Sequence, residues 1–237
     1  MIKVAIVAAL EREVWALVRN WQVAGREYEG KPFRFFEDGA RAVLVCGGIG
    51  AQAARRATEA VIALYQPEVV QSVGFAGALD PSLSVGEIFS PARIIDGRDG
   101  SRVMLENGSG TLLSFHCIAG TEQKSKLAAA YNAQAIDMEA AAVAQSAASH
   151  GLRFEVTKAI SDESDFEMPS MDRFIGHDGH FHAGRFVAFA ALRPWLWAKI
   201  IRLGRKSAKA EQSLCRELQR QLCTEFDSTE LNANLRV

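Results

Sequence analysis

Two acidic side chains stand where the sequence predicts the ends of regular elements, Glu139 at the start of a helix and Asp162 at the end of a strand. Between them an alanine-rich stretch favours a helix, and the glycine of His150-Gly151 provides the left-handed residue that ends it. A strand predicted to be buried, Phe154 to Ile160, follows. Ligands of open α/β sheets bind at the carboxyl edge of the strands. Carboxylates at that edge therefore predict a site that meets positive charge or transfers protons.

The same residues also have a purely structural interpretation. Asp137 and Glu139 suit a helix N-terminus because they complement the helix dipole. The side chain of Asp137 can accept a first-turn N–H, and Asp162 could do so for a following helix. This segment alone leaves both interpretations open.

The elements before residue 135 predict the sheet that must position these acids. Lys3 to Ala9 is a continuous apolar strand, as expected for burial on both faces, and 33–38 with 41–46 indicates a hairpin around Asp38-Gly39. Gly47 to Gly50 opens the next helix, where glycines and a helix N-terminus favour close approach of a ligand or an anion. Tight strand–helix packing explains the glycines equally well. Strands alternating with helices across 1–165 predict an α/β fold with a mainly parallel sheet.

The composition bounds the class of protein. At 237 residues and 49% hydrophobic content, one domain is expected. A net charge of −1 gives no electrostatic footprint for nucleic acid. The four cysteines lack metal-type spacing and are typical of reduced thiols, and the N-terminus lacks a signal-peptide profile. We therefore expect a cytoplasmic protein that binds a small molecule.

Four of these junctions together resemble one family, the purine nucleoside phosphorylase/nucleosidase superfamily, and most closely its methylthioadenosine/S-adenosylhomocysteine nucleosidases. The matching motifs are Ala5–Val14, Gly48-Ile49-Gly50, Gly74–Leu83 followed by Val85–Ile88, and Asp137–Ala140 followed by Ile160-Ser161-Asp162. The resemblance implies a three-layer α/β/α sandwich with a mixed, partly barrel-like central sheet, in a single domain over 1–222.

The resemblance also implies roles for individual residues. Asp162 would protonate the purine at N7, Glu139 would hold the ribose hydroxyls, Met138 would pack against the sugar, and Glu13 would orient the attacking water. Backbone groups of Ala76 and Gly77 would line the substrate site, to which the matching motifs also assign Gly48, Phe75, Asp137 and Ser161. The implied activity is cleavage of the N-ribosyl bond of a 5′-substituted adenosine such as methylthioadenosine or S-adenosylhomocysteine. No cofactor or metal is implied.

Departures from the family pattern keep two alternatives open. Phe75 stands where the family usually has serine, which favours a non-catalytic nucleoside-binding module. The acceptor could be phosphate as a co-substrate instead of water. Arg12, Arg41 and Arg98 are candidate phosphate ligands, although surface roles are expected for each.

The C-terminal third differs more strongly. Residues 186–206 interleave Trp195, Trp197 and Ile201 with basic side chains, as in helices that lie at a membrane interface. This segment resembles the hopanoid-associated phosphorylase branch, which implies a lipid-linked nucleoside, adenosylhopane, and peripheral membrane contact. The other interpretation is a subunit interface, in a likewise implied homo-oligomer, or a helix packed over the sheet.

The remaining expectations concern the segment after Asp162 and the tail. By the resemblance, 166–182 would be a lid over the site. His177, His180 and His182 could suggest a metal, but a polar loop is expected because the spacing matches no standard site. A polar helix is predicted from Ser207 to Leu222, with a flexible tail over 223–237.

Overall fold

The computed structural model describes residues 2–167 and 193–234 and, between these ranges, Phe174, Gly176, Gly179, Phe181, His182, Gly184, Arg185, Phe186 and Phe189. Within these residues eleven strands form one sheet. The strands are β1 (Val4–Ala8), β2 (Gln22–Tyr28), β3 (Lys31–Asp38), β4 (Ala42–Cys46), β5 (Val69–Ala78), β6 (Ile88–Phe89), β7 (Arg93–Asp96), β8 (Arg102–Met104), β9 (Thr111–Ser114), β10 (Ala135–Asp137) and β11 (Arg153–Asp162). The helices are α1 (Glu11–Val18), α2 (Ala51–Tyr65), α3 (Thr121–Tyr131), α4 (Ala140–Ser149) and α5 (Pro194–Asn234).

Strand β5 is the centre of the sheet. Its first half pairs in parallel with β1, nearly its whole length pairs in parallel with β11, and Gly77 and Ala78 pair antiparallel with β10. The main path through the sheet runs β2-β3-β4-β1-β5-β10-β9-β7-β8, with β11 and β6 branching from β5. The ends of β5, β10 and β11 are thereby brought together, and these strands carry the Gly77, Asp137 and Asp162 positions.

Helices cover both faces of the sheet. On one face α2 and α4 pack through Ala57, Val61, Val143 and Ala147, and the small side chains of α4 permit the close approach that its alanine content predicts. On the other face α1 and α5 pack through a second apolar cluster that includes Val14 and Leu218. The predicted three-layer α/β/α sandwich with a mixed sheet is confirmed.

Several local predictions need correction. The hairpin is confirmed but continues into a third strand, β2. The predicted helix start moves to Ala140, with Glu139 as the N-cap residue. His150 and Gly151 end that helix as predicted, Gly151 having φ +65°.

The C-terminal helix also differs from the prediction. One helix, α5, begins at Pro194 and reaches Asn234, so the helix predicted from Ser207 starts earlier and the expected tail is helical in its described part. Proline at the first position needs no intrahelical N–H donor, which suits this start. Among the described residues, no helix combines the length and apolar character needed to cross a bilayer.

Candidate active site

Asp162 closes β11 and is almost fully buried, with 3% of the residue exposed. Its Oδ1 accepts a hydrogen bond of 2.6 Å from the Ser161 hydroxyl, and its Oδ2 accepts from the ammonium group of Lys124 on α3. A Cβ atom added at Gly77 would lie 3.1 Å from Oδ2. Glycine on the neighbouring strand therefore leaves the space in which the carboxylate sits.

Asp137 closes β10 and is paired with a buried lysine. Lys158 Nζ lies 2.9 Å from Asp137 Oδ2, which also accepts the backbone N–H of Ala140 at 2.9 Å. The Ser114 hydroxyl donates to the other carboxylate oxygen at 2.6 Å. Burial opposes the charged form of Lys158, but Asp137 and Glu139 outweigh it and raise the pKa of that ammonium group. Asp137 thus caps α4 as predicted and also belongs to a buried ion pair.

Glu139 is held at the start of two helices. It is the N-cap residue of α4, and its Oε1 accepts the backbone N–H of Gly50, at the start of α2, at 2.7 Å. The anion at the N-terminus of α2 is therefore the chain's own carboxylate. Burial, reinforced by the nearby charge of Asp137, raises the pKa of Glu139 to about 7.

Glu13 lies on α1 and has only 6% of its surface exposed. Its Oε2 has no hydrogen-bond partner among the described residues. Burial raises the pKa of Glu13 to about 7, against the opposing influence of Arg12 and Lys158. Gly74, with φ +137°, faces this carboxylate, and a Cβ there would come within 2.8 Å of Oε2. A carboxyl group that titrates near neutrality and has an unfilled acceptor can bind and deprotonate water.

These acidic groups line one cavity of about 570 Å³. It brings together most of the residues that the resemblance assigned to the site: Glu13, Phe75, Ala76, Gly77, Asp137, Met138, Glu139, Ser161 and Asp162. Gly48 lies beside the lining, not in it, with the carbonyl of Gly179 where a Cβ would point. The neighbouring Ile49 lines the cavity and donates its backbone N–H to Gly179 at 2.8 Å.

The C-terminal helix forms a wall of the same cavity. Its lining residues are Ile200, Leu203, Gly204, Ser207, Ala208 and Glu211, joined by Phe181 and Phe186 from the segment before the helix. In the same helix Trp195, Trp197 and Ile201 are 70%, 51% and 56% exposed. The described residues of 186–206 therefore contribute to the wall of the cavity and also expose aromatic side chains.

Sequence reasoning missed the three polar residues whose side chains bind the two aspartates of the site, Lys124, Lys158 and Ser114. Lys158 stands in a strand predicted to be buried, and its charge there was the available signal, although Glu155 carries a charge in the same strand. Lys124 lies on a helix with polar neighbours, so nothing in the local pattern distinguishes it from a surface lysine.

The arginine and histidine expectations have different outcomes. Arg12 lines the cavity, whereas Arg41 pairs with Asp38 at 2.8 Å and Arg98 with Asp96 at 2.7 Å. Arg12 is exposed as well as part of the lining, so its surface role and its candidate role as a phosphate ligand both stay predictions. His177 and His180, with most of the expected lid, lie outside the described residues. The described part of the chain contains no cluster of potential metal ligands.

Comparisons with known proteins agree with this architecture. The model of the phosphorylase superfamily matches residues 3–116 and 111–181. The 5′-methylthioadenosine/S-adenosylhomocysteine nucleosidase of Staphylococcus aureus (strain JH9) is 27% identical, over 69% of this chain and 88% of that protein. The structure of the nucleosidase of that name from Colwellia psychrerythraea, in complex with adenine, superposes with a TM-score of 0.61 at 25% identity, over 69% of this chain and 84% of the other.

A more distant structural match is futalosine hydrolase of Helicobacter pylori, with a TM-score of 0.59 at 16% identity over 68% of this chain and 89% of the other, which bears on the fold alone. The chain belongs to the phosphorylase superfamily. The expectation of an enzyme, a nucleosidase or a nucleoside phosphorylase, is confirmed at that level. The family match ends at residue 181, so α5, which walls the cavity, lies beyond it.

Proposed function

We propose that this enzyme cleaves the N-ribosyl bond of a purine nucleoside, a 5′-substituted adenosine such as methylthioadenosine or S-adenosylhomocysteine, by hydrolysis. The observation that supports it most is the convergence of Glu13, Glu139 and Asp162 on one cavity. Cleavage leaves an oxocarbenium-like sugar and an anionic purine. Carboxylates favour the first, and protonation of the base neutralises the second.

Each acid has a role in this proposal. Asp162 hands a proton to N7 of the purine, and Glu139 accepts hydrogen bonds from the ribose hydroxyls, with Met138 against the sugar. Glu13 orients the attacking water and takes its proton, a task suited to a carboxyl group whose pKa is about 7. Backbone groups of Ala76 and Gly77 complete the cavity.

Water as the acceptor is favoured over phosphate by the charges in the cavity. Two carboxylates, Glu13 and Glu139, would repel a phosphate dianion. The N-terminus of α2, a candidate anion site, already donates Gly50 N–H to Glu139. Arg12 in the lining is the observation that favours the second candidate, phosphorolysis.

The wall of α5 favours an apolar 5′ substituent. Ile200 and Leu203 face the cavity together with Phe181 and Phe186. A lipid-linked nucleoside is the extended form of this proposal, and the exposed Trp195 and Trp197 would then contact a membrane surface. Co-sedimentation with vesicles of anionic phospholipid tests this part, with Trp195→Ala/Trp197→Ala as the variant. If neither the wild type nor the variant sediments with the vesicles, or if both sediment equally, the proposed membrane contact of Trp195 and Trp197 is refuted.

Base release decides the reaction. The protein is incubated with methylthioadenosine, adenosine and inosine, with and without phosphate, and the free base is quantified. Release without phosphate supports hydrolysis, and release only with phosphate supports phosphorolysis. Tight binding without release would leave a nucleoside-binding module, the alternative that Phe75 favours. The turnover of a folded Asp162→Ala variant should be about 10²–10⁴-fold lower than that of the wild type. Unchanged turnover would refute the role of Asp162.

A further inference from the structure

Lys124 is the one cation that touches the proposed acid directly among the described residues. It is contributed by α3, and its side chain and that of Asp162 are 3% and 4% exposed. Two of its three N–H donors have partners, Asp162 Oδ2 and, at 2.8 Å, the backbone carbonyl of Glu163. Lys124 also lines the cavity. Burial of an ammonium group costs desolvation free energy, which only a well-placed partner of opposite charge can offset.

The ion pair with Lys124 bears on how Asp162 could act as a proton donor. A carboxylate in contact with an ammonium group and a hydroxyl donor favours its ionised form. An ionised carboxylate has no proton to give to a purine. Lys124 Nζ, a proton donor, is in direct contact with Asp162 Oδ2, the oxygen that would transfer a proton to the purine.

We propose that Lys124 is the proton reservoir of the site, holding Asp162 as a carboxylate until the N-ribosyl bond breaks and then supplying the purine proton through it. This inference rests on the proposed function. As the C–N bond breaks, its electron pair passes to the purine. One proton moves from Lys124 Nζ to Asp162 and from Asp162 to N7. The purine leaves neutral, Asp162 is again a carboxylate, and the neutral amine of Lys124 regains a proton from solvent. The attacking water loses its proton to Glu13.

Several other charged groups near the pair have partners of their own. Glu163, which follows β11, forms an ion pair with Lys206 of α5, and Arg202 of α5 stacks on Phe166. On α3, Glu122 pairs with Lys126 at the surface. Across the cavity Asp137 pairs with Lys158. The other charged residues of the lining are Arg12, Glu13, Glu139 and Glu211. Lys124, whose Nζ contacts Asp162 Oδ2 directly, is therefore the cation positioned to act through Asp162 among the described residues.

The test measures kcat and KM against pH from 5.5 to 9 with methylthioadenosine for the wild type, Lys124→Met and Lys124→Arg. Lys126→Met, two residues along the same helix and exposed, is the matched control. In Lys124→Met no ammonium group lies beside Asp162, so Asp162 can donate a proton to the purine only when it is itself protonated in the resting enzyme. Its kcat should stay within about tenfold of the wild type at pH 5.5 and fall by about 10²–10⁴ by pH 9. Lys124→Arg holds the carboxylate but does not release a proton, so kcat should fall at every pH while KM changes little. Lys124→Met with the wild-type pH profile, or Lys124→Arg with wild-type kcat, would overturn the inference.

A second measurement does not depend on activity. Urea unfolding is followed over the same pH range for wild type, Lys124→Met and Lys124→Met/Asp162→Asn. Without its cation, Asp162 should resist ionisation, so Lys124→Met should lose stability relative to the wild type as the pH rises, and the double variant should abolish that pH dependence. Parallel curves for wild type and Lys124→Met would show that the lysine does not govern Asp162. If the wild type releases no base from any nucleoside, the proposed function fails, while the unfolding curves still accept or reject the ion pair as the group that keeps Asp162 ionised.

Discussion

The Glu13→Gln substitution should stabilise the folded protein above neutral pH while it removes activity. In the folded state burial raises the pKa of Glu13 from 4.5 to about 7. The folded protein therefore keeps this proton to a higher pH than the unfolded chain does. The resulting stability is fully present below about pH 4.5 and is lost as the pH rises through about 7. Ionised Glu13 is thus a stability cost of the working enzyme.

The size of that cost follows from the two pKa values. A difference of one in pKa corresponds to about 1.4 kcal/mol, so the shift from 4.5 to 7 is worth about 3 kcal/mol at full ionisation. Between pH 5 and pH 8, where titration is incomplete at both ends, about 2–3 kcal/mol should be lost. Glutamine keeps the shape of the side chain without this ionisation.

Urea unfolding at pH 5, 6, 7 and 8 measures the effect. The free energy of unfolding of E13Q minus that of the wild type should rise by about 2–3 kcal/mol from pH 5 to pH 8. Glu106→Gln, at an exposed position, serves as the control and should show no comparable rise. Curves for E13Q and wild type that stay parallel across this range would refute the assignment of a neutral-range titration to Glu13.

Two further substitutions test how the site is held in place. Lys158→Met should lower the free energy of unfolding by about 3–5 kcal/mol, because it leaves Asp137 charged and buried, and adding Asp137→Asn should recover part of that loss; additive effects in urea unfolding would contradict the ion pair. Leu218→Ala, in the fully buried anchor of α5, should cost about 2–5 kcal/mol with an unchanged denaturant slope, whereas a loss below 1 kcal/mol would show that α5 is not part of the cooperative core.

The sheet and the placement of Asp162 and Glu139 could be predicted because local signals specify them. An apolar strand bounded by glycine and by a serine–aspartate pair defines β11, and an alanine-rich run closed by His150-Gly151 defines α4. Partners from distant segments could not be predicted in this way. Lys124 reaches Asp162 across 38 residues of chain, and Glu139 meets the N-terminus of α2 across 89. Neither contact changes the pattern of apolar and polar residues in its own segment, so neither could be inferred from that pattern.

The short strand β9 and the long helix α5 show that local sequence patterns also fail to determine where an element ends and which of its faces is buried. Residues 115–119 are apolar enough to extend a strand, but Phe115 donates its backbone N–H to Asp137 and the chain then leaves the sheet. The exposure of Trp195, Trp197 and Ile201 agrees with the aromatic and basic surface that the sequence predicts for α5. Its inner face could be assigned only when the position of the cavity was known.

Helix α5 separates two tasks along its length. Residues 200–211 border the cavity, while Ala210, Leu214, Leu218 and Leu222 anchor the helix in the core. Glu13, Glu139 and Asp162 all lie within the residues that the family model matches, which end at 181, before this helix begins. Under the proposed function, exchange of a few cavity-lining side chains within residues 200–211 would therefore change substrate preference and leave the acids and the anchor of the helix in place.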